Sequence, residues 1–136
     1  MADTLKKKIL LVDDEPDLVQ MVSIRLKTAG YDVVSAYDGQ QALDSVKQNK
    51  PDLIILDLML PKMDGYKVCR LLKFDERYKK IPVLIFTARA QVEDVHLATE
   101  CGANGYLTKP FEAQVLLKKL EELLAAVQPD GQPQKG

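Results

Sequence analysis

At 136 residues and 46 % hydrophobic side chains, the chain can bury the core of one domain and is too short for two ordinary domains. Its 19 basic and 20 acidic side chains leave a net charge of −1, which argues against the strongly basic surface of a nucleic-acid-binding protein. The amino-terminal stretch MADTLKKKILLV has only a short apolar run, too short for a signal-peptide core or a membrane span. We therefore expect a cytoplasmic protein that contacts neither membrane nor nucleic acid directly.

Short apolar runs alternate with amphipathic stretches along the chain. The apolar runs predict five strands, and the first, third and fourth are apolar on both faces, as in a sheet that is covered on both sides. The strands are expected at residues 8–12, 31–36, 52–57, 82–87 and 105–108.

The first and last helices have the clearest apolar faces. The first is expected to begin near Pro16, a residue suited to an opening turn, and to end at Gly30. The residues expected to face inward are Leu18, Met21, Val22, Leu26 and Ala29 in the first helix, and Leu116, Leu120, Leu123, Leu124 and Val127 in the last.

Three further helices are expected between these two. Two of them are expected at residues 39–48 and 64–74. Asp38 and Asp64 are their candidate N-caps, because an aspartate carboxylate can cap a helix N-terminus. The segment 91–101 has the weakest helical pattern, because few of its apolar residues share one face.

The alternation of strands and helices predicts an α/β fold with one five-stranded parallel sheet, right-handed connections and helices on both faces. The expected strand order is 2-1-3-4-5. We assign one domain to residues 1–127. Residues 128–136, QPDGQPQKG, are expected to form a flexible tail, because their proline, glycine and glutamine cannot build a core.

Polar side chains follow the carboxyl ends of four strands, at the edge where open parallel sheets bind ligands. They are Asp13, Asp14 and Glu15 after the first strand, Asp57 at the end of the third, Thr87 at the end of the fourth and Lys109 after the fifth. If the first and third strands are neighbours, Asp13, Asp14 and Asp57 share a small volume, where their mutual repulsion requires a cation. Oxygen ligands without histidine or cysteine favour Mg²⁺ over a softer metal.

Such a site suits phosphoryl transfer. Asp57 is ionised at neutral pH and can attack a phosphoryl group without a general base. Mg²⁺ on Asp13 or Asp14 would offset the charge of the two approaching anions. Lys109 would pair with one phosphoryl oxygen, and the Thr87 hydroxyl could donate to another.

Each of these residues also has a simpler interpretation. The acidic residues after the first strand could stabilise a helix N-terminus, and Asp57 could cap a loop. Thr87 taken alone is an ordinary strand residue, and Lys109 taken alone is a solvated charge. Their common position at one edge of the sheet favours a site.

Four segments, in order, resemble the signature segments of response-regulator receiver domains, the phospho-accepting partners of two-component histidine kinases. They are LLVDDEPDLV, LDLMLPKMDGYKV, PVLIFTAR and GYLTKPF, and the resemblance extends from about Lys8 to Val127. It implies a flavodoxin-like (βα)5 receiver fold and Mg²⁺ as the cofactor.

The resemblance also implies roles for individual residues. Asp57 is the implied phosphorylation site. Asp14 is the implied principal Mg²⁺ ligand with Asp13 in support, and the backbone carbonyl of Met59 is a further ligand. The residues implied in phosphoryl contact and switching are Thr87, Ala88, Tyr106 and Lys109, and the peptide bond from Lys109 to Pro110 is implied to be cis.

A phosphoryl group on Asp57 would draw the Thr87 hydroxyl inward and leave space that the Tyr106 ring can fill. The change would emerge on residues 91–127, which are also the candidate surface for a homodimer. The implied donor is a sensor histidine kinase or a phosphotransfer protein, and the downstream protein is unidentified. We expect no enzymatic activity beyond self-phosphorylation and autodephosphorylation.

Other classes of protein remain as alternatives. An aspartyl-phosphate phosphatase would carry an Asp-x-Asp motif, with a second carboxylate two residues after the nucleophile. Here Met59 occupies the position of that second carboxylate. A flavin or dinucleotide carrier needs a phosphate-binding loop after the first strand, where DDEPD would repel a phosphate. The chain could also be the N-terminal receiver of a larger regulator with a DNA-binding or enzymatic output, although its last helix lacks an arginine-rich end.

Three further residues are expected to play no part in this chemistry. His96 is expected at the surface rather than in a histidine phosphorelay. Cys69 and Cys101 form no CxxC pair and no zinc motif, so they are expected to be buried, reduced thiols.

Overall fold

A computed structural model describes residues 6–60, 63–87 and 100–127. The five strands lie at Lys8–Val12 (β1), Asp32–Ala36 (β2), Leu53–Asp57 (β3), Val83–Thr87 (β4) and Gly105–Thr108 (β5). They form one sheet in the order β2-β1-β3-β4-β5, and all four neighbouring pairs are parallel. The predicted strand order is therefore confirmed, and β1 lies directly beside β3.

Four helices lie within the described residues, at Pro16–Thr28 (α1), Gly39–Asn49 (α2), Gly65–Lys73 (α3) and Ala113–Ala125 (α4). The predicted N-caps are confirmed: Asp38 accepts a hydrogen bond from the backbone N–H of Gln41 at 2.8 Å, and Asp64 accepts one from Lys67 at 2.9 Å. The helix expected at 91–101 lies outside the described residues except for its last two positions, and so does the tail. None of the helices in these ranges is both long and apolar enough to cross a membrane.

The central strands β1, β3 and β4 are buried on both faces of the sheet, whose alternate residues point to opposite sides. One face packs against α2 and α3 through Leu10, Val12, Ile54, Leu56 and Ile85. The other packs against α1 and α4 through Ile9, Leu11, Ile55, Leu84 and Phe86. This double coverage explains why β1, β3 and β4 read as continuous apolar runs.

The inward face of α1 differs from the predicted one. Val19, Val22 and Leu26 are buried, whereas Met21 is 53 % exposed and Ala29 is also exposed. Successive residues of a helix are about 100° apart, so a stripe through positions 19, 22 and 26 leaves Met21 at its side. The predicted choice of Met21 and Ala29 was wrong, and Val19 was missed.

The inward face of α4 is confirmed over its first turns. Leu116 and Leu120 are buried, and Leu123 and Leu124 are half-buried. Val127 lies beyond the end of the helix and is 39 % exposed, so its predicted inward position was wrong.

The first turn of α3 rests directly on the carboxyl end of β3. The backbone N–H of Gly65 donates to the Leu58 carbonyl oxygen at 3.0 Å. A Cβ at position 65 would overlap the backbone carbonyl oxygen of Asp57 and would lie 2.7 Å from the Cα of Leu58. A glycine is therefore required where α3 meets the strand that carries Asp57.

Replacing Gly65 with alanine is expected to lower the free energy of unfolding by about 1–3 kcal/mol, because rigid backbone must move to accommodate the methyl group. The matched control is Gly105→Ala, whose methyl group would lie 3.6 Å from the nearest side-chain carbon, that of Leu84. Urea denaturation of both variants measures the difference. Equal stability of the two variants would contradict the close approach at Gly65.

Candidate functional site

The carboxyl ends of β1, β3, β4 and β5 bring the predicted site residues to one edge of the sheet. Asp13 directly follows β1, Asp57 ends β3, Thr87 ends β4 and Lys109 directly follows β5. The register pairs Val12 with Leu56, so the residues that follow these strands emerge side by side. The predicted meeting of these four loops is therefore present in the fold.

Three carboxylates form the centre of this edge. Asp13 and Asp57 are buried, with 0 % and 3 % exposed, and Asp14 is exposed. One carboxylate oxygen from each lies within 4.8 Å of the others. Two buried carboxylates therefore lie close to a third that reaches solvent, and together they concentrate negative charge at this edge.

Backbone hydrogen bonds orient the two buried carboxylates in the same way. Oδ1 of Asp13 accepts from the backbone N–H of Glu15 at 3.0 Å, and Oδ1 of Asp57 accepts from the backbone N–H of Met59 at 3.2 Å. Each aspartate thus binds the residue two positions later, a local turn that fixes its side chain. The Oδ2 atoms both face Lys109.

Lys109 supplies a positive charge between the carboxylates. Its Nζ lies 2.7 Å from Oδ2 of Asp13, 3.5 Å from Oδ2 of Asp57 and 3.6 Å from a carboxylate oxygen of Glu15. The ammonium also lies 5.0 Å from the centre of the Phe86 ring, a cation–π distance. The sequence predicted a lysine at this edge but not its ion pair with Asp13.

The pKa of Asp57 is raised from 3.8 to about 6. Burial is the main cause, and the negative charge of Asp13 acts in the same direction, while the Met59 N–H and Lys109 partly oppose it. At pH 7 the carboxylate is still mostly ionised, so it can act as a nucleophile without a base.

The pKa of Lys109 is raised from its ordinary value. Burial alone would lower this pKa, but the hydrogen bond to Asp13 and the charges of Asp57, Asp13 and Glu15 outweigh it. Lys109 is therefore a permanent cation in the site at neutral pH.

The donor set fits a hard divalent cation. The carboxylates of Asp13, Asp14 and Asp57 carry three formal negative charges, and the ammonium of Lys109, which also lies near Glu15, offsets only one negative charge. All the candidate side-chain ligands are oxygens, as Mg²⁺ and Ca²⁺ prefer. Because Asp14 is exposed, the cluster is open to solvent on one side, and a cation there could keep bound waters.

The remaining predicted residues lie at the rim of the site or outside the described residues. Thr87 pairs with Thr108 in the sheet, and its side chain is not described. Tyr106 lies on β5 and is 37 % exposed. The peptide bond between Lys109 and Pro110 is cis, as the resemblance implies. Ala88 and His96 lie outside the described residues.

Known proteins resemble this chain in both sequence and structure. Residues 9–121 match the family described as "Response regulator receiver domain". The chain is 48 % identical over 117 residues to the DNA-binding dual master transcriptional regulator RpaA of Synechocystis, a match that covers 86 % of this chain and 48 % of RpaA. It spans about half the length of the curated relatives it matches.

Two solved structures share the fold closely. The chemotaxis response regulator CheY4 of Vibrio cholerae is 36 % identical, with a TM-score of 0.83 over 88 % of this chain and 99 % of CheY4. The receiver domain of sensor histidine kinase PA1611 from Pseudomonas aeruginosa PAO1 carries a magnesium ion coordinated in its active site cleft. That domain is 32 % identical, with a TM-score of 0.83 over 89 % of this chain and 99 % of its own. With a family match that runs from β1 into α4 and the same fold in both solved structures, the chain belongs to the family of response regulator receiver domains.

Proposed function

We propose that Asp57 accepts a phosphoryl group from a histidine of a sensor kinase or phosphotransfer protein, in the cytoplasm and with the help of Mg²⁺. The observation that carries the proposal is the position of Asp57: a buried carboxylate at the carboxyl edge of the sheet, mostly ionised at pH 7, close to the carboxylates of Asp13 and Asp14 and 3.5 Å from the Lys109 ammonium.

In this proposal a carboxylate oxygen of Asp57 attacks the phosphorus atom of the donor. The new O–P bond forms as the bond between phosphorus and the donor's imidazole nitrogen breaks, and the electron pair of that bond returns to the imidazole. The product is an acyl phosphate on Asp57. No proton has to leave the nucleophile, because its pKa of about 6 keeps it ionised at pH 7.

Asp13 and Asp14, with Asp57 itself and the backbone carbonyl of Met59, are the proposed ligands of Mg²⁺. The bound ion would supply positive charge that offsets the repulsion between Asp57 and the incoming phosphoryl oxygens. The carboxylate cluster and its net negative charge support this assignment, and so does the magnesium in the cleft of the PA1611 receiver.

Lys109 is the proposed contact of a phosphoryl oxygen. Its Nζ already lies 3.5 Å from Oδ2 of Asp57, so a small movement of the lysine stem would bring it to a group attached there. Such a movement would weaken the 2.7 Å pair with Asp13. Phosphorylation and the position of the segment after β5 are thereby coupled.

The proposed readout uses the residues next to this site. The Thr87 hydroxyl and the Tyr106 ring are the proposed switch pair, with Ala88 as a further phosphoryl contact, and residues 91–127 are the proposed face for a downstream protein or a second copy. Tyr106 is 37 % exposed, so a movement of the ring inward would bury more of it.

A second candidate concerns the whole protein. The curated relatives are about twice as long as the matched region, and RpaA is a DNA-binding regulator. These lengths favour the alternative that this receiver belongs to a larger regulator with a DNA-binding output. The receiver itself, with a net charge of −1, is not the proposed DNA-binding part.

Incubation of the purified chain with acetyl phosphate tests the proposal. With Mg²⁺, intact mass spectrometry is expected to show one added phosphoryl group per chain, which hydroxylamine removes because an acyl phosphate is reactive toward amines. With EDTA in excess over the metal, the addition is expected to disappear. A chain that takes up no phosphoryl group, or does so equally well in EDTA, would refute the proposed function.

A further inference from the structure

A second pair of reactive groups lies away from the carboxylate edge. The Cys69 thiol on α3 donates to the backbone carbonyl oxygen of Cys101 at 3.4 Å, and the two thiols lie close enough for each to shift the pKa of the other. Both cysteines are buried, with 0 % and 1 % exposed. They are 32 residues apart in sequence and in direct contact in space.

Hydrogen bonds of nearby residues connect the segment after Cys101 to α3 and β4. Lys73, one turn after Cys69 on α3, donates from Nζ to Oδ1 of Asn104 at 2.9 Å. The same Oδ1 accepts from the backbone N–H of Val83 at 2.9 Å. Asn104, three residues after Cys101, is thus tied to both α3 and β4.

A groove connects this pair with the surface. It has a volume of about 950 Å³ and runs along α3, and Cys101 lies in its wall together with Arg70, Phe74 and Glu100. Cys69 is fully buried, whereas Cys101 borders the groove. A small molecule in the groove therefore meets Cys101 first.

The surroundings also distinguish the two sulfur atoms. The hydrogen bond from Cys69 is the main reason that the pKa of Cys101 is lowered to about 7, and the backbone N–H of Ala103 and the charge of Arg70 act in the same direction. The same hydrogen bond, together with burial, raises the pKa of Cys69. Because Cys101 lines the groove and the thiolate is the reactive form, Cys101 is the nucleophile and Cys69 is the resolving thiol.

We propose that Cys69 and Cys101 form a reversible disulfide when a peroxide enters the groove beside α3, so that oxidation ties α3 to the residues that lead into β5. First, the Cys101 thiolate attacks one oxygen of hydrogen peroxide. The O–O bond breaks, a sulfenic acid forms, and the departing hydroxide takes up a proton to become water.

Next, the Cys69 sulfur attacks the Cys101 sulfur. The S–O bond breaks as the S–S bond forms, and the proton of Cys69 leaves with the hydroxide as a second water. Two thiols lose two electrons in total, and one peroxide is reduced to two waters. The sulfurs must move from close contact to the bond length of about 2.0 Å.

Treatment of the folded chain with hydrogen peroxide tests this site. The wild type is expected to lose the mass of two hydrogens, to stay monomeric on a non-reducing gel, and to yield a peptide that joins positions 69 and 101. Dithiothreitol should restore the original mass. The oxidised protein should unfold at a higher denaturant concentration than the reduced one, because the bond closes a long loop.

Two variants separate the roles of the thiols. Cys69→Ala is expected to stop at a Cys101 sulfenic acid, which dimedone traps, whereas Cys101→Ala is expected to react at least tenfold more slowly than the wild type. Circular dichroism shows whether each variant is folded. The wild-type peptide map does not depend on the variants, so it tests the disulfide even if a variant fails to fold. The proposal would be overturned if the folded wild type did not react, if it gave only disulfides between chains, or if Cys101→Ala reacted as fast as the wild type.

Discussion

Asp57→Asn is expected to abolish phosphoryl uptake from acetyl phosphate and, in the absence of divalent cations at pH 7, to raise the free energy of unfolding by about 2–3 kcal/mol. Burial and the charge of Asp13 destabilise the ionised Asp57 carboxylate in the folded state, and its pKa is therefore raised to about 6. Asparagine keeps an oxygen to accept from the Met59 N–H but carries no charge. Loss of function together with a gain in stability cannot result from unfolding.

The pH dependence of that stability gain has a defined sign. The pKa of Asp57 rises from 3.8 to about 6 on folding, so the folded state binds the proton more tightly than the unfolded state does. The stability contributed by the protonated form is fully present below pH 3.8 and is lost as the pH rises through 6. The gap between Asp57→Asn and the wild type should therefore widen from pH 5 to pH 7.5, as measured by urea denaturation in EDTA.

Asp52→Asn is the matched control for this substitution. Asp52 directly precedes the same strand, at the end opposite to Asp57, and its carboxylate accepts from the backbone N–H of Lys8 at 2.8 Å. An asparagine can accept the same bond, so phosphoryl uptake should equal that of the wild type. A stability gap for Asp57→Asn that stays constant with pH would contradict the account of the buried charge.

Lys109→Ala is expected to lower the free energy of unfolding by about 2–4 kcal/mol in the absence of divalent cations. The substitution removes the ammonium that lies 2.7 Å from the fully buried Asp13 and 3.5 Å from Asp57, and it leaves two buried carboxylates facing each other. Addition of Mg²⁺ should recover more stability in this variant than in the wild type, because the ion replaces the missing positive charge. Some phosphorylation of Asp57 should persist.

Lys118→Ala provides the comparison, since Lys118 is exposed on α4. Its removal should change the stability by less than about 0.5 kcal/mol. Denaturation of both variants with and without Mg²⁺ separates the two cases. An equal loss of stability in the two variants would mean that the Lys109 ion pairs contribute nothing.

The strand pattern was predictable because each buried strand is apolar on both faces, and the meeting of Asp13 with Asp57 followed from the parallel order alone. The inward face of α1 was harder to predict, because Met21 and Val19 are equally apolar and only the packing against the sheet decides between them. The pair between Lys109 and Asp13 joins residues 96 positions apart. Its formation depends on how a flexible lysine stem is placed, which no spacing in the sequence encodes.

The contact between Cys69 and Cys101 was equally hidden from the sequence. Both residues were predicted as buried thiols, and that prediction is confirmed. Their proximity arises because α3 packs beside the connection from residue 101 to β5. This packing belongs to the tertiary structure, so the spacing of the two cysteines in the sequence does not reveal it.

Identification of the phosphorylated residue tests the central claim most directly. After incubation with acetyl phosphate and Mg²⁺, reduction with borohydride converts an aspartyl phosphate into homoserine, and peptide sequencing by mass spectrometry locates the change. We predict homoserine at position 57 alone. An unmodified Asp57 beside homoserine at position 13 or 14, or phosphoryl uptake with no homoserine at all, would contradict the assignment of Asp57 as the phosphoryl acceptor.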